Sequence, residues 1–343
     1  MFGKKVTSKH AETATAIDIG SFAVKIIQVT RQESLYSIDA FGYSKIMGST
    51  PEASLEALHR ALNDAKLSHK KINTAISPDG VIVRFIILPE MSSDDLKKAM
   101  SFELERYVPF EKKDVISDYM ILKERPDNKN MKVLLVAAKK DYVTNRVQLL
   151  KDVGLEADIV TIETLILNNI FQVNYPEKIN KTIGIINIGA RTSNICICRG
   201  DTSYFMRDIQ LGGESITHLL KEKLDVDLIE AEKIKCQLKN DDGEKLKIIE
   251  PIFGNLLNEI YLSFDYFESE FGVFVEEVYV SGGSAKLPVL LSFFKEHLNR
   301  EVALLNTIKG FQFSPSIVRQ SIEDQASSVA VVLGLALESF CEP

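Results

Sequence analysis

The chain states one pattern twice. Ile17-Asp18-Ile19-Gly20 ends an apolar strand in a glycine turn, and Ile186-Asn187-Ile188-Gly189 repeats the device nearly half of the 343 residues further on. Each copy continues into a second strand, a polar turn (Thr30-Arg31-Gln32-Glu33, then Cys198-Arg199-Gly200-Asp201) and a returning strand. A repeat on this scale predicts two like halves facing each other. Turn N–H groups converging from both halves suit an anionic ligand, because no side chain keeps it from the backbone.

The first half opens with strands over 15–19, 24–30 and 35–46, joined closely enough to form an antiparallel meander. A helix follows from Pro51, with Leu55, Leu58, Ala61, Leu62 and Ala65 on one face, and then a strand over 72–77. This β-β-β-α-β order is that of an RNase-H-like half domain. From 81 to 154 the chain inserts a module of its own. It comprises a strand (81–88), a helix begun by Ser92 with Asp95 as capping partner and stopped by Pro109, two strands (118–123 and 132–138), and a helix from Asp141 to Gly154. A helix from Glu163 to Phe171 leads out. The second half repeats the meander (183–188, 194–199, 204–211). Helices follow from Gly212-Gly213-Glu214 and over 228–238, then a surface loop (240–247), a long helix (252–271), strands over 277–280 and 302–305, and a final helix (324–340). The expected division is a flexible leader (1–12), a first half (13–80 and 155–175), the insertion (81–154), and a second half (176–343) whose last helix returns to the first.

Composition narrows the function. A net charge of −7 without a basic stripe gives no reason to expect nucleic acid. No apolar run approaches the roughly 18 residues of a membrane span, so a cytoplasmic protein is expected. The four cysteines and five histidines show no zinc spacing.

Four places carry candidate chemistry. In the first turn, Gly20, Ser21 and Phe22 follow Asp18, which can hold magnesium through water. Lys25 returns along the next strand as a point charge for phosphate. In the second turn, Asn187 precedes Gly189, Ala190, Arg191 and Thr192, which form either a phosphate loop or an Asn-capped hairpin. Gly282, Gly283 and Ser284 sit between a strand and a helix, where paired glycines let a flat ring rest on backbone; Lys286 is the nearby charge. Gly213 opens a helix, and Glu232 and Lys235, three apart on another, either bracket a ribose and base edge or form a solvated ion pair. Glu163, at a helix start, favours the helix dipole and is a candidate water-positioner.

These elements in this order resemble the actin–hexokinase–chaperone superfamily of ATP-binding proteins. Within it the chain is similar to the PilM family, actin-like proteins of type IV pilus assembly. Asp18–Lys25 and Asn187–Thr192 resemble the two phosphate motifs, Ser281–Ala285 the adenosine motif, and Glu163 and Ala330–Gly334 the connecting segments. The insertion is the most specific part: Arg84-Phe85-Ile86-Ile87-Leu88-Pro89, Glu103 to Phe110, and 134–139. Its late position separates the chain from actin and the heat-shock chaperones. The resemblance implies a duplicated actin-like α/β fold, ATP with magnesium between the halves, and docking of the cytoplasmic N-terminal tail of the inner-membrane protein PilN. It further implies a link from the membrane platform to the pilus motor, with self-association a further expectation. The tail is expected at Pro89, Met91, Val108, Pro109 and Phe110, which line or support a groove. Asn187 replaces the acid usual in the second loop, so slow or absent hydrolysis is expected. An FtsA-like cell-division or filament-forming homologue is the alternative, and a small-molecule kinase a more distant one.

Overall fold

The computed structural model describes residues 11–122 and 129–341. Residues 1–10 of the expected leader lie outside them, and so does Lys123 of the strand expected over 118–123. Glu12 already belongs to a strand.

The first half begins with β1 (Glu12–Ile19), β2 (Ala23–Gln32) and β3 (Leu35–Lys45), then α1 (Pro51–Ala65) and β4 (Lys71–Ile76). Thr50 caps α1 by accepting from the Ala53 N–H at 3.3 Å, and Pro51 occupies the first turn, where its missing N–H costs nothing. Next come β5 (Val81–Pro89), α2 (Ser93–Tyr107), β6 (Val115–Ile121), β7 (Asn130–Lys139), α3 (Lys140–Asp152), β8 (Glu156–Ile162) and α4 (Leu167–Asn174). The second half runs β9 (Ile183–Ile188), β10 (Ser193–Arg199), β11 (Thr202–Ile209), α5 (Gly213–Leu224), α6 (Leu228–Gln237), α7 (Gly243–Phe271), β12 (Glu277–Ser281), α8 (Pro288–His297), β13 (Glu301–Leu304), β14 (Phe311–Phe313), α9 (Arg319–Glu323) and α10 (Ala330–Glu338).

The repeat is visible in strand order. One sheet reads β14-β3-β2-β1-β4-β8 and the other β11-β10-β9-β12-β13, so the same five places are filled in the same sequence. The sixth strand of the first sheet comes from the far end of the chain. β14 pairs in parallel with β3, Gln312 opposite Ser37. A small third sheet, β5-β7-β6, carries α2 on one face, where Leu96, Met100 and Leu104 pack against Ile86, Val133 and Leu135.

Four sequence expectations change. The helix from Asp141 was read as closing the insertion. Instead α3 buries Leu150 in the first-half core with Ile17, Val24 and Leu58, making it the crossover between parallel strands β4 and β8. The helix expected from Glu163 starts only at Leu167, which leaves Glu163 in a turn. The long helix starts at Gly243 and runs through Pro251. Buried Ile249 and Phe253 hold its first turns to the core, offsetting a proline penalty of about 3 kcal/mol. The final helix expected from Asp324 starts only at Ala330 as α10, and α9 is a separate short helix that ends before Asp324.

α10 is buried along nearly its whole length and packs among residues of both halves. Gly334 lets it cross tightly against the segment leading into α4, since a Cβ there would lie 2.5 Å from the Ile166 carbonyl oxygen.

Candidate functional site

Register builds the site as two matching rows. Asp18 on β1 lies opposite Lys25 on β2, which lies opposite Tyr43 on β3. In the second half Asn187 lies opposite Asn194, which lies opposite Asp208. Facing residues on neighbouring strands share a side of the sheet, so each row is a set of touching side chains.

The first row is ionic. Lys25 Nζ donates to Asp18 Oδ2 at 2.7 Å, with the side chains only 13% and 6% exposed. Burial opposes the lysine's charge, but Asp18 outweighs it and raises the Lys25 pKa above its ordinary value. The second row is neutral until its end. Ser281 Oγ donates to Asn187 Oδ1 at 3.3 Å and Asn187 Nδ2 to Asn194 Oδ1 at 2.8 Å. Asn194 Nδ2 then donates to Asp208 Oδ1 at 2.7 Å. Both ends of the Asn187 amide are thereby committed inside the second half. Thr164 Oγ1 donates to the same Asp208 oxygen at 2.8 Å, tying the turn after β8 across the crease.

Glu163 lies in that turn, half-buried. Burial first, then the charge of Asp18, lifts its pKa to about 8 against the pull of Lys25. Burial also raises the pKa of Asp208, although its bonds from Asn194 and Thr164 hold it back.

Three second-half turns meet at the other side of the crease. The Gly213 N–H donates to Gly189 O at 3.0 Å, the Glu214 N–H to Ala190 O at 2.7 Å, and Ser284 Oγ to Gly189 O at 2.9 Å. Gly282 adopts φ +95, and a Cβ there would lie 2.3 Å from Ile188 O, so only glycine fits. A Cβ on Gly283 would meet nothing within 4 Å. Gly189 closes its turn through its N–H to Thr192 O at 2.9 Å, while Arg191 points outward, 3.5 Å from Glu214.

Glu232 and Lys235 are no solvated pair. Lys235 is buried, its Nζ bonded to Glu232 at 2.6 Å, Thr217 Oγ1 at 3.0 Å and Gly213 O at 3.3 Å, which fixes α6 to the start of α5. Lys286 is also engaged, bonding to Asp324 O and Gln325 rather than standing free for phosphate. Ser21 and Phe22 are exposed at the rim of the first turn, with Lys45 Nζ 5.6 Å from the Phe22 ring centre.

The five expected groove residues lie at the two ends of α2. Pro89 lies at the end of β5 paired with Asn130, with Met91 just beyond; Pro109 and Phe110 lie past the opposite end of α2. Phe110 packs against the core of the small module, with the Nζ of Lys139, the last residue of β7, 4.7 Å from its ring centre. Val108 is a core residue beneath α2, so it supports the module and lines nothing.

Two site residues escaped the sequence reading. Asp208 stands in a strand with no motif around it, and only the repeat's register would have found it. Arg146, on α3, reaches the first turn and donates from Nη2 to Ile19 O at 3.2 Å. No sequence signal marks it.

The family model for the type IV pilus assembly protein PilM matches residues 16–340. The chain belongs to the PilM family. Among solved structures, a PilM–PilN type IV pilus biogenesis complex is similar at 24% identity and a TM-score of 0.84, covering 96% of this chain and 99% of that one. A nucleotide-free diol dehydratase-reactivating factor is similar at 9% identity and a TM-score of 0.57, covering 96% and 100%. The ethanolamine utilization protein EutJ from Carboxydothermus hydrogenoformans gives 14% and 0.53, covering 97% and 92%. This PilM-family chain therefore has the duplicated two-domain actin-like fold and is an actin-like protein of type IV pilus assembly. No helix among the described residues is long and apolar enough to cross a membrane.

Proposed function

We propose that this PilM-family chain binds ATP with magnesium in the crease between its halves and docks the N-terminal tail of PilN beside the small sheet. In this role it links the inner-membrane platform to the pilus motor. The observation that carries the nucleotide reading is the meeting of three second-half turns opposite the Asp18–Lys25 row. The residues present fit such a ligand. Gly283 leaves open space beside backbone for a base, and Lys25 offers charge for phosphate. Among the described residues no three acidic, His or Cys side chains gather to hold a metal directly. Asp18 would hold magnesium through water, with the phosphates supplying the direct contacts. Bound magnesium would supply charge neutralisation for the phosphates.

The protein's own residues favour holding ATP over cleaving it. The amide at Asn187 is neutral and engaged on both sides, so it lends no charge to a metal shell. Glu163 is left as the group nearest to a water-positioning role. The docking reading rests on half-buried Phe110 against the core of the small module and on the PilM–PilN complex of the relative.

One calorimetric experiment separates the two parts. Gly283→Val fills empty space, so it should fold normally, lose at least tenfold in Mg·ATP affinity and keep the PilN tail peptide. Phe110→Ala should do the reverse, with an unfolding midpoint near wild type. Full ATP affinity in Gly283→Val would remove the nucleotide from the crease. Full peptide affinity in Phe110→Ala would remove the tail from Phe110.

A further inference from the structure

Arg146 is a half-buried cation with one enclosed nitrogen. Its Nη2 donates to Ile19 O at 3.2 Å, immediately before the first glycine turn. Its Nη1 is sealed from solvent and has no acceptor among the described residues. Burial lowers its pKa, while the charge of Asp18, joined by that of Glu163 once this carboxyl ionises, works to keep it protonated. Neither carboxylate reaches ion-pairing distance of the guanidinium.

An enclosed charged donor without an acceptor is costly, and proteins rarely leave one without a use. The use is constrained by place. The groups that would hold a base, Glu232, Lys235 and Gly283, all belong to the second half, whereas Arg146 lies behind the first turn, beside Asp18 and Glu163. A phosphate chain running from the base toward Asp18 would bring its terminal group nearest to Arg146. A planar fork with one arm already anchored on backbone is well suited to grip phosphate oxygen with the other.

Resting on the nucleotide reading above, we propose that Arg146 contacts the terminal phosphate of ATP and makes the site prefer ATP to ADP. α3 begins at Lys140, directly after β7 ends at Lys139, so Arg146 is carried on the helix that continues from the small sheet.

The test is calorimetry of Mg·ATP and Mg·ADP on the full chain, in wild type, Arg146→Met and Arg146→Lys. Met keeps the aliphatic stem and removes the charge; Lys keeps the charge and loses the fork. Arg146→Met should weaken ATP about tenfold or more and leave ADP within about twofold, as expected for loss of a charge-assisted bond to one phosphate. Arg146→Lys should fall between, and it serves as the deciding variant if Arg146→Met does not fold. Equal losses for ATP and ADP would overturn the proposal, showing that Arg146 only shapes the turn at Ile19. Unchanged ATP affinity in Arg146→Met, with a wild type that binds both nucleotides, would overturn it alone. A wild type that binds neither nucleotide would overturn both it and the nucleotide reading beneath it.

Discussion

The two halves hold the same row of side chains in different chemistry. Asp18–Lys25–Tyr43 is a buried ion pair ended by a phenol, and Asn187–Asn194–Asp208 is a neutral amide pair ended by an acid. The backbone that places them is the same, down to strand order and register. What differs is where charge is kept. The first half puts a cation and an anion at the glycine turn itself. The second half withdraws its carboxylate two strands back, where Asn194 and Thr164 hold it away from the turn. A duplicated fold can therefore give one half to charge and the other to backbone amides without changing a strand.

The largest expected effect breaks that contrast by stability. Lys25→Met strands the Asp18 carboxylate in the interior and should cost about 3–5 kcal/mol. Asn187→Leu removes two neutral bonds, from Ser281 and to Asn194, and should cost only about 1–3 kcal/mol. Denaturant unfolding without nucleotide measures both, and equal losses would mean that the two rows are not chemically distinct.

A second contrast is in pH. The Glu163 pKa is raised to about 8, so between the ordinary carboxylate range and that value the folded state keeps a proton that the unfolded chain has released. Stability must therefore fall as pH rises through this window and stay low above it. Glu163→Gln should flatten the profile, gaining roughly 2–3 kcal/mol relative to wild type at pH 9 over pH 5, after allowing for solvent in the crease. Asp208→Asn should flatten it less, because two hydrogen bonds already favour the charged form of that acid. A wild-type profile that is flat from pH 5 to 9 would remove the protonated Glu163.

The smallest effect sharpens the comparison through turnover. Single-turnover hydrolysis in wild type should run well below the ~1 s⁻¹ of ordinary ATPases. Asn187→Asp should quicken it modestly while lowering stability, because the new carboxylate competes with Asp208 for the one Asn194 amide. A wild type already at ~1 s⁻¹, and indifferent to Asn187→Asp, would sink the link between the neutral row and slow chemistry.

Much of this was written locally. Alternating apolar residues and short glycine turns specify the two meanders. Ser92 with Asp95 and Thr50 before Pro51 specify where helices begin, because each cap reaches only three residues along the chain. The repeat itself located both turns, and the position of the insertion pointed to the family. These features involve neighbours in sequence, and a single chain displays them directly.

The tertiary structure alone decided what depends on distant partners. That β14 pairs with β3 follows from contacts nearly 300 residues apart, which no local pattern encodes. α3 has the same amphipathic pattern whether it covers the small sheet or the large one, and only the fit of Leu150 beside Ile17 assigns it to the large one. Lys235 reads as a surface charge until Thr217 and the Gly213 carbonyl close over it. Arg146 is one arginine among many in the sequence. It gains meaning only because α3 carries it to a carbonyl 127 residues earlier in the chain, where one of its nitrogens is left enclosed and without a partner among the described residues.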